Sequence, residues 1–500
     1  MRMIRSSLPA LLLGVAAFVG ALVITAGAGP GLDPDSMSYL HAATTLAHGQ
    51  GLRDVQRDWA SEDSTMPLAH WPPGYPVAIA GAERAGLGEV QGARFVGALA
   101  ALVTIAIIVW LVGGVAGSGA GVVAGLLVFV TPAIVQVHES VLSEPLFIAL
   151  VVSTLATMVR TPRRPIVSGA LAGIASLVRY AGISLVGGVV LWQLARTGTI
   201  RQRIARATVA ALPAVALQGA WVMRTVHSAG SGSIRQISIY GEITSTLREG
   251  WRTTSAWLVP GMGELWGIFV AAGVAVLLVI ALWESRPLRE RQRPALAAAL
   301  CAACYLGLVL ASRLFADPGI PLDDRLMAPL LVLVEIALVL LLAPAWQRWP
   351  VTARAAVALL VVLWWGAALR VSVRSARYAV QTGNDFAEDC WSHSPLAAWV
   401  RANGKGHAMY TNAPEALYFH AGRLSHELPD EMDAPTLRAF TDTLVRRRAL
   451  VADFDESCGA VGNSDSVLTR LPLHVVVTVP TGRVLESVAD GERPGAAPKP

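Results

Sequence analysis

The chain has 500 residues, of which 54% are hydrophobic and only 15% charged, with a mean hydropathy of +0.52. This balance excludes an ordinary soluble enzyme. The net charge of +5 and pI near 9.2 do not point to nucleic acid as a partner, because the surplus arginines sit in short loops between apolar runs, where membrane topology accounts for them.

About eleven apolar runs are long enough, or nearly so, to cross hydrocarbon: 8–28, 94–113, 119–137, 145–159, 166–178, 181–195, 207–224, 258–282, 295–312, 326–343 and 353–369. The first has an apolar core longer than the usual secretory signal, so it reads as a retained span. Basic clusters recur at Arg2 and Arg5, at Arg160, Arg163 and Arg164, at 196–206, at 286–293, and at Arg348 and Arg354. If every run is a span, all of them fall on one side, which the charge rule makes cytoplasmic. The N-terminus is then cytoplasmic and the chain after 370 is extracytoplasmic.

The first outer loop, 29–93, is too long to be a mere connection. Met37, Tyr39, Leu40, Ala43 and Ala47 fit a helix lying in the membrane interface, with Asp35 and Ser36 in its capping region. Further along, HWPPGYP (70–76) reads as a rigid turn feeding a second surface helix, and it carries His70 and Tyr75. The short second outer loop, VHESVLSEPLF (137–147), brings His138, Glu139 and Glu144 to the mouth of the bundle. Carboxylates at that depth are costly and tend to be paired or functional. SEP, with Glu144 in its middle, is equally a conventional helix start.

Arg179, in LVRYAGISL, interrupts an apolar stretch running from 166 to 194. One continuous span there would put the 196–206 cluster outside, so the stretch is a hairpin with Arg179 at its outer turn. A guanidinium at that depth wants an anion: a lipid phosphate or a loop carboxylate. Arg224 in WVMR and Arg325 in PLDDRLMAP also emerge at outer ends, where each either snorkels or joins a phosphate clamp.

Cys301 and Cys304 have CxxC spacing but lie within an apolar run and read as core packing. Cys390 and Cys458 both fall in the outer tail, where an oxidising compartment permits, but does not require, a disulfide. That tail, 371–490, alternates short helices with strands at HAMYT, ALVADF, HVVVTV and GRVLESV, and so reads as a small α/β domain. Asn412 stands where a strand meets a helix, as a cap or a ligand contact. Residues 491–500 read as a disordered terminus. The predicted fold class is an all-α polytopic membrane bundle over 1–370 with this α/β domain appended.

DSMSY (35–39), PPGYP (72–76), SEPLF (143–147), VRYAG (178–182), WVMR (221–224) and DRLMAP (324–329) follow one another in an order that resembles the multi-spanning glycosyltransferases of the GT-C class, of the protein-mannosyltransferase and aminoarabinose-transferase kind. The resemblance implies a sugar donor linked to a polyprenyl phosphate, a glycan, lipid or protein acceptor, and surrounding membrane lipids as partners. It also implies that the first-loop acid, Asp35, is the catalytic base, by its spacing to Tyr39; Asp33 fits that spacing less well, and Ser36 stands where the family often has a second acid.

Inverting displacement needs one base for the acceptor hydroxyl and cations for the departing phosphate. Arg179 and Arg325 suit the second task, with Arg224, Tyr39, His70 and Tyr75 as further donor contacts. Glu144 is placed with Asp35 in the catalytic group, while Asp33, Glu139 and His138 are auxiliary or acceptor-side candidates. No dense cluster of acids is visible, so a divalent metal is not expected. A transporter or flippase of lipid-linked glycans would place broken polar segments at mid-membrane. A non-catalytic envelope-assembly protein would tolerate loss of Asp35. The plasma (inner) membrane is the expected location.

Overall fold

The computed structural model describes residues 2–61, 66–229, 243–284, 293–317, 319–429, 433–455, 458 and 468–487. The arginines at 286, 289 and 291 and the expected disordered terminus 491–500 lie outside the described residues. The chain forms two compact units, the first comprising Met1–Pro30 with Ala69–Gln381 and the second Gly31–Leu68 with Thr382–Pro500. The boundary drawn at 370 therefore falls inside a helix, Val351–Thr382, and much of the first outer loop groups with the C-terminal residues.

The first unit is helical, and each of the eleven apolar runs lies largely in helix, with 25–28 and 259–263 falling outside it. Among the described residues six helices are long and apolar enough to cross a membrane, and a bent pair, Ser118–Val130 with Pro132–Glu139, makes up to seven. The others, such as Pro165–Val178 and Tyr180–Ala195, are shorter. The bend of 56° has a covalent cause: Pro132 lacks an N–H and forces Thr131 to an extended backbone (φ −65°, ψ 126°). Thr131 turns its hydroxyl back to the Leu127 carbonyl at 2.7 Å, which satisfies one acceptor freed by the break. Cys301 is a buried free thiol and Cys304 a half-buried one, as core packing requires.

In the second unit, β1 (Arg53–Asp54) and β2 (Met66–Pro67) form a small antiparallel ladder. A five-stranded sheet is built from β3 (Met409–Thr411), β4 (His426–Glu427), β5 (Leu450–Phe454), β6 (Leu473–Val479) and β7 (Gly482–Ser487) in the order β4-β3-β5-β7-β6. The β3 pairings to β4 and β5 are parallel, and those of β7 to β5 and β6 antiparallel. Core side chains pack on both faces, Leu396, Val400, Leu417 and Phe454 on one and Tyr410, Phe440, Leu444 and Val451 on the other. This explains why β5, apolar but for Asp453, is buried along its whole length. Cys390 and Cys458 are joined in a disulfide whose Cα atoms are 5.4 Å apart. Asn412 is neither a cap nor a free ligand group: its side-chain amide donates to the Phe454 carbonyl at 2.7 Å and accepts from the Phe454 amide at 2.9 Å, fastening β3 to β5.

The segment 31–61 is woven into this sheet. The Glu427 amide donates to the Arg57 carbonyl at 2.9 Å, and Arg447 donates to the Ser61 carbonyl at 2.8 Å. The helix expected over 36–47 forms as Pro34–Ala47, but its residues from Ser36 to Ala43 are all buried, so it is a packed helix and not an interfacial one.

Candidate active site

In the first unit the site is built around one carboxylate. Glu144 opens the helix Glu144–Arg160, with Pro145 next to it supplying the preset φ of a first turn, and it is fully buried. Buried charge is tolerable only when paired. Arg179 places Nη1 2.7 Å from Glu144 Oε1, and Arg325 donates through Nε to the same oxygen. Arg179 also donates to Ser143 Oγ at 3.0 Å. One carboxylate thus holds two guanidinium groups, and the Asp323 carboxyl lies close enough to feel both of them.

Each arginine is fixed by its own backbone. Arg179 has extended backbone between the helix Pro165–Val178 and the short turn Tyr180–Gly182, so the hairpin expected from the sequence does turn there. The PPGYP motif seats beside it: a Cβ on Gly74 would come within 2.7 Å of the Leu177 carbonyl, and only glycine lets the helix Gly74–Arg84 approach so closely. Arg325 lies in the first turn of Asp324–Trp346, capped by Asp323, which accepts from the Leu326 amide at 2.8 Å. Tyr305 donates to the Leu326 carbonyl at 2.7 Å, and Asp324 accepts from Trp257 Nε1 at the same distance. The side chains of Arg179 and Arg325 keep 17% and 30% of their exposure against 1% for Glu144. The arrangement therefore sequesters the anion and presents the cations, which suits it to bind a phosphate.

The other sequence candidates of this unit are placed differently. Arg224 lies over the Trp221 ring at 4.9 Å, and Trp221 donates to the Tyr180 hydroxyl at 3.1 Å, next in sequence to Arg179. Tyr75 is buried, whereas His70 is exposed with its ring against Trp71. Glu139 accepts from Ser375 at 3.0 Å, and His138 bonds to the Ile134 carbonyl at 2.7 Å beside an apolar cavity of roughly 180 Å³. Neither joins the Glu144 triad among the contacts described. Glu335 was not singled out by the sequence reading: it is buried within a span and accepts from Thr131 at 3.2 Å. The signal was present, since it is the sole acid inside the 326–343 run.

In the second unit the cap of Pro34–Ala47 is Asp33 and not Asp35. Asp33 accepts from the Ser36 amide at 2.8 Å and its own amide donates to Ser36 Oγ at 3.0 Å, a reciprocal capping box. Asp33 and Ser36 are thereby committed to the backbone, and Asp35, half-buried in the first turn, is released from capping. Tyr39, one turn on, is buried.

Two further acids of this unit escaped the sequence reading. Asp54 is buried and accepts from Ser38 at 2.7 Å, and Glu415 is buried and accepts from Gln56 at 3.1 Å. Burial, with the nearby Asp54 and Asp35 charges, raises the Glu415 carboxyl above its ordinary range. His41 meets the Tyr418 hydroxyl through Nδ1 at 3.0 Å, and burial together with the Arg57 charge lowers its pKa to about 4. Among the described residues no three His, Cys, Asp or Glu side chains are grouped as a metal would need.

Comparison with known proteins bears on the fold that carries this arrangement. Residues 71–221 match the family described as dolichyl-phosphate-mannose-protein mannosyltransferase. The whole chain shares the fold of ArnT from Cupriavidus metallidurans, solved bound to undecaprenyl phosphate, with a TM-score of 0.61 at 16% identity over 96% of this chain and 98% of that one. It is similar also to the oligosaccharyltransferase AglB of Archaeoglobus fulgidus, solved with an inhibitory peptide and a dolichol-phosphate, with a TM-score of 0.56 at 12% identity over 97% and 75% of the two chains. A third likeness is to the mycobacterial arabinofuranosyltransferase AftD, with a TM-score of 0.58 at 17% identity over 96% of this chain and 40% of that one. No curated protein sequence matches. The chain is a multi-pass membrane protein that shares the fold of these glycosyltransferases.

Proposed function

We propose that the protein transfers a glycosyl residue from a polyprenyl-phosphate-linked sugar to an acceptor hydroxyl at the outer face of the plasma membrane, with its N-terminus cytoplasmic and its second unit extracytoplasmic. The reading rests on one observation above the rest: two partly exposed guanidinium groups gathered on a single buried carboxylate. The fold shared with a protein solved with undecaprenyl phosphate supports a polyprenyl phosphate as the anion they receive.

The acceptor oxygen attacks the anomeric carbon while the carbon–oxygen bond to the carrier phosphate breaks, inverting the configuration. The hydroxyl proton passes to the carboxylate of Asp35, and the electron pair leaves with the phosphate. Arg179 and Arg325 stabilise the charge that develops there, and Glu144 orients them as a positioning residue. Asp35 suits the base because Asp33 has taken over the helix cap. No divalent ion is required in this scheme, so chelator should leave transfer intact.

Asp35→Asn keeps the shape and polarity of the side chain and removes the base. In proteoliposomes supplied with a polyprenyl-phosphate sugar, kcat should fall by about 10²–10⁴. Arg179→Gln should lower kcat/KM for the donor, by weakening both donor binding and the stabilisation of the departing phosphate. Full activity in the Asp35 variant would overturn the reading.

A further inference from the structure

The last helix of the first unit, Val351–Thr382, has 32 residues and so is about 48 Å long, well beyond the roughly 30 Å of hydrocarbon it has to cross. Arg354 marks one end of its apolar stretch and Arg370 the other. Beyond Arg370 come Arg374 and Arg377, at steps of four and three residues. At about 100° per residue the three guanidinium-bearing positions fall within an arc of about 60°, and Arg377 stands about 10 Å further along the axis than Arg370.

All three side chains are exposed, and among the described residues none has a carboxylate or carbonyl partner. They share one exposed face of the helix with Leu369, Val373 and Tyr378. Below the arginines the same face continues with Leu359 and Leu363, each within about 20° of Arg370 in helical projection. These are 59% and 60% exposed. Gly366, between them and Arg370, leaves a notch in the ridge.

This is an amphipathic profile along a single line: bare leucine at hydrocarbon depth, then three uncompensated cations across the zone of about 5–7 Å where headgroups lie and just above it. On the proposed topology these arginines face the outer leaflet, against the usual cytoplasmic bias of basic residues, so topology does not account for them. We infer that this stripe is a binding site for anionic glycerophospholipid, with an acyl chain along Leu359, Leu363 and Gly366 and the headgroup phosphate held by Arg370, Arg374 and Arg377. Three cations spread over about 10 Å span the phosphate layer of a leaflet, where glycerophospholipid headgroups are the abundant anions. This site is distinct from the Glu144 triad and does not depend on the glycosyl-transfer reading.

The test is native mass spectrometry of the full-length protein in detergent, titrated separately with phosphatidylglycerol, phosphatidylcholine and undecaprenyl phosphate. The wild type should bind phosphatidylglycerol more tightly than phosphatidylcholine. Arg374→Gln should weaken phosphatidylglycerol about fivefold, as expected for one basic residue at a lipid surface. The triple Gln variant at 370, 374 and 377 should bind the two phospholipids alike, and the triple Lys variant should keep most of the preference. Because the side chains are exposed, thermal unfolding without lipid should be the same in all variants. Unchanged phosphatidylglycerol affinity in the triple Gln variant would overturn the site. If that variant instead lost undecaprenyl phosphate binding while keeping phosphatidylglycerol, the stripe would be a carrier site and the assignment to phospholipid wrong.

Discussion

Glu144→Gln separates the structural role of this carboxylate from the anion site it leaves open. In the native protein Glu144 faces two positive charges, Arg179 at 2.7 Å and Arg325 in direct contact, with the Asp323 carboxyl near both. Glutamine keeps the volume and one acceptor oxygen but makes the site more positive by one charge. Removing one partner of a buried ion pair costs about 3–5 kcal/mol. Here the arginines keep 17% and 30% exposure, so solvent offsets part of that, and a loss of about 2–3 kcal/mol is expected. Unfolding in detergent would report it.

A phosphate seated on the same guanidinium groups would replace the missing charge. At a ligand concentration of about 100 times Kd, binding stabilises by about 2.7 kcal/mol, comparable with the deficit. Added undecaprenyl phosphate should therefore restore most of the variant's stability, and the increment should exceed that in the wild type, whose site carries one positive charge fewer. A variant as stable as the wild type would refute the claim that the pair holds the two arginines together. A deficit that the lipid phosphate leaves untouched would refute the anion site.

Four other outcomes follow from the second unit. His41 is held at about 4 in the fold against 6.5 unfolded, so its contribution is complete above about pH 6.5 and is lost as pH falls toward 4, by up to about 3 kcal/mol. Tryptophan fluorescence across that window should show the loss in the wild type and little of it in His41→Gln. Glu415 has the opposite sign, since its raised carboxyl favours the fold at low pH and that contribution declines as pH rises above the ordinary carboxylate range. Cys390→Ser opens a disulfide with a sequence separation of 68, which the chain-entropy relation values at about 4 kcal/mol, measurable as a lowered urea midpoint; no change in midpoint would mean the bridge adds nothing. Asp33→Ala should cost about 1 kcal/mol through loss of the cap, with Asp33→Asn losing much less, and equal costs would contradict the capping assignment.

The helices of the first unit were legible because an apolar run in hydrocarbon has little choice but to be helical. The individual members of the triad were legible too, since an arginine in an apolar hairpin and an acid in SEP are each conspicuous. Their meeting was not, because Arg179 and Arg325 lie 36 and 181 residues from the Ser143 and Glu144 groups they contact, and no local pattern encodes such distances. Asp33 and Asp35 were confused as caps for a subtler reason: two acids at the start of one helix differ in role only by backbone dihedrals, here φ −94° and ψ 176° at Asp33. Residues 31–68 looked like a membrane-side loop by composition, and nothing local in them announces that they complete a sheet formed by residues beyond 400. Cys390 and Cys458 stayed open because spacing says nothing about Cα separation.

The weaving of residues 31–61 through the C-terminal strands has a practical consequence for anyone dissecting the protein. Truncation at Gln381 would not yield a minimal catalyst lacking an accessory module. It would strip Arg57, Trp59 and Ser61 of the partners they find at Glu427, Tyr410 and Arg447, and so leave the segment bearing Asp35 with no scaffold to lie against.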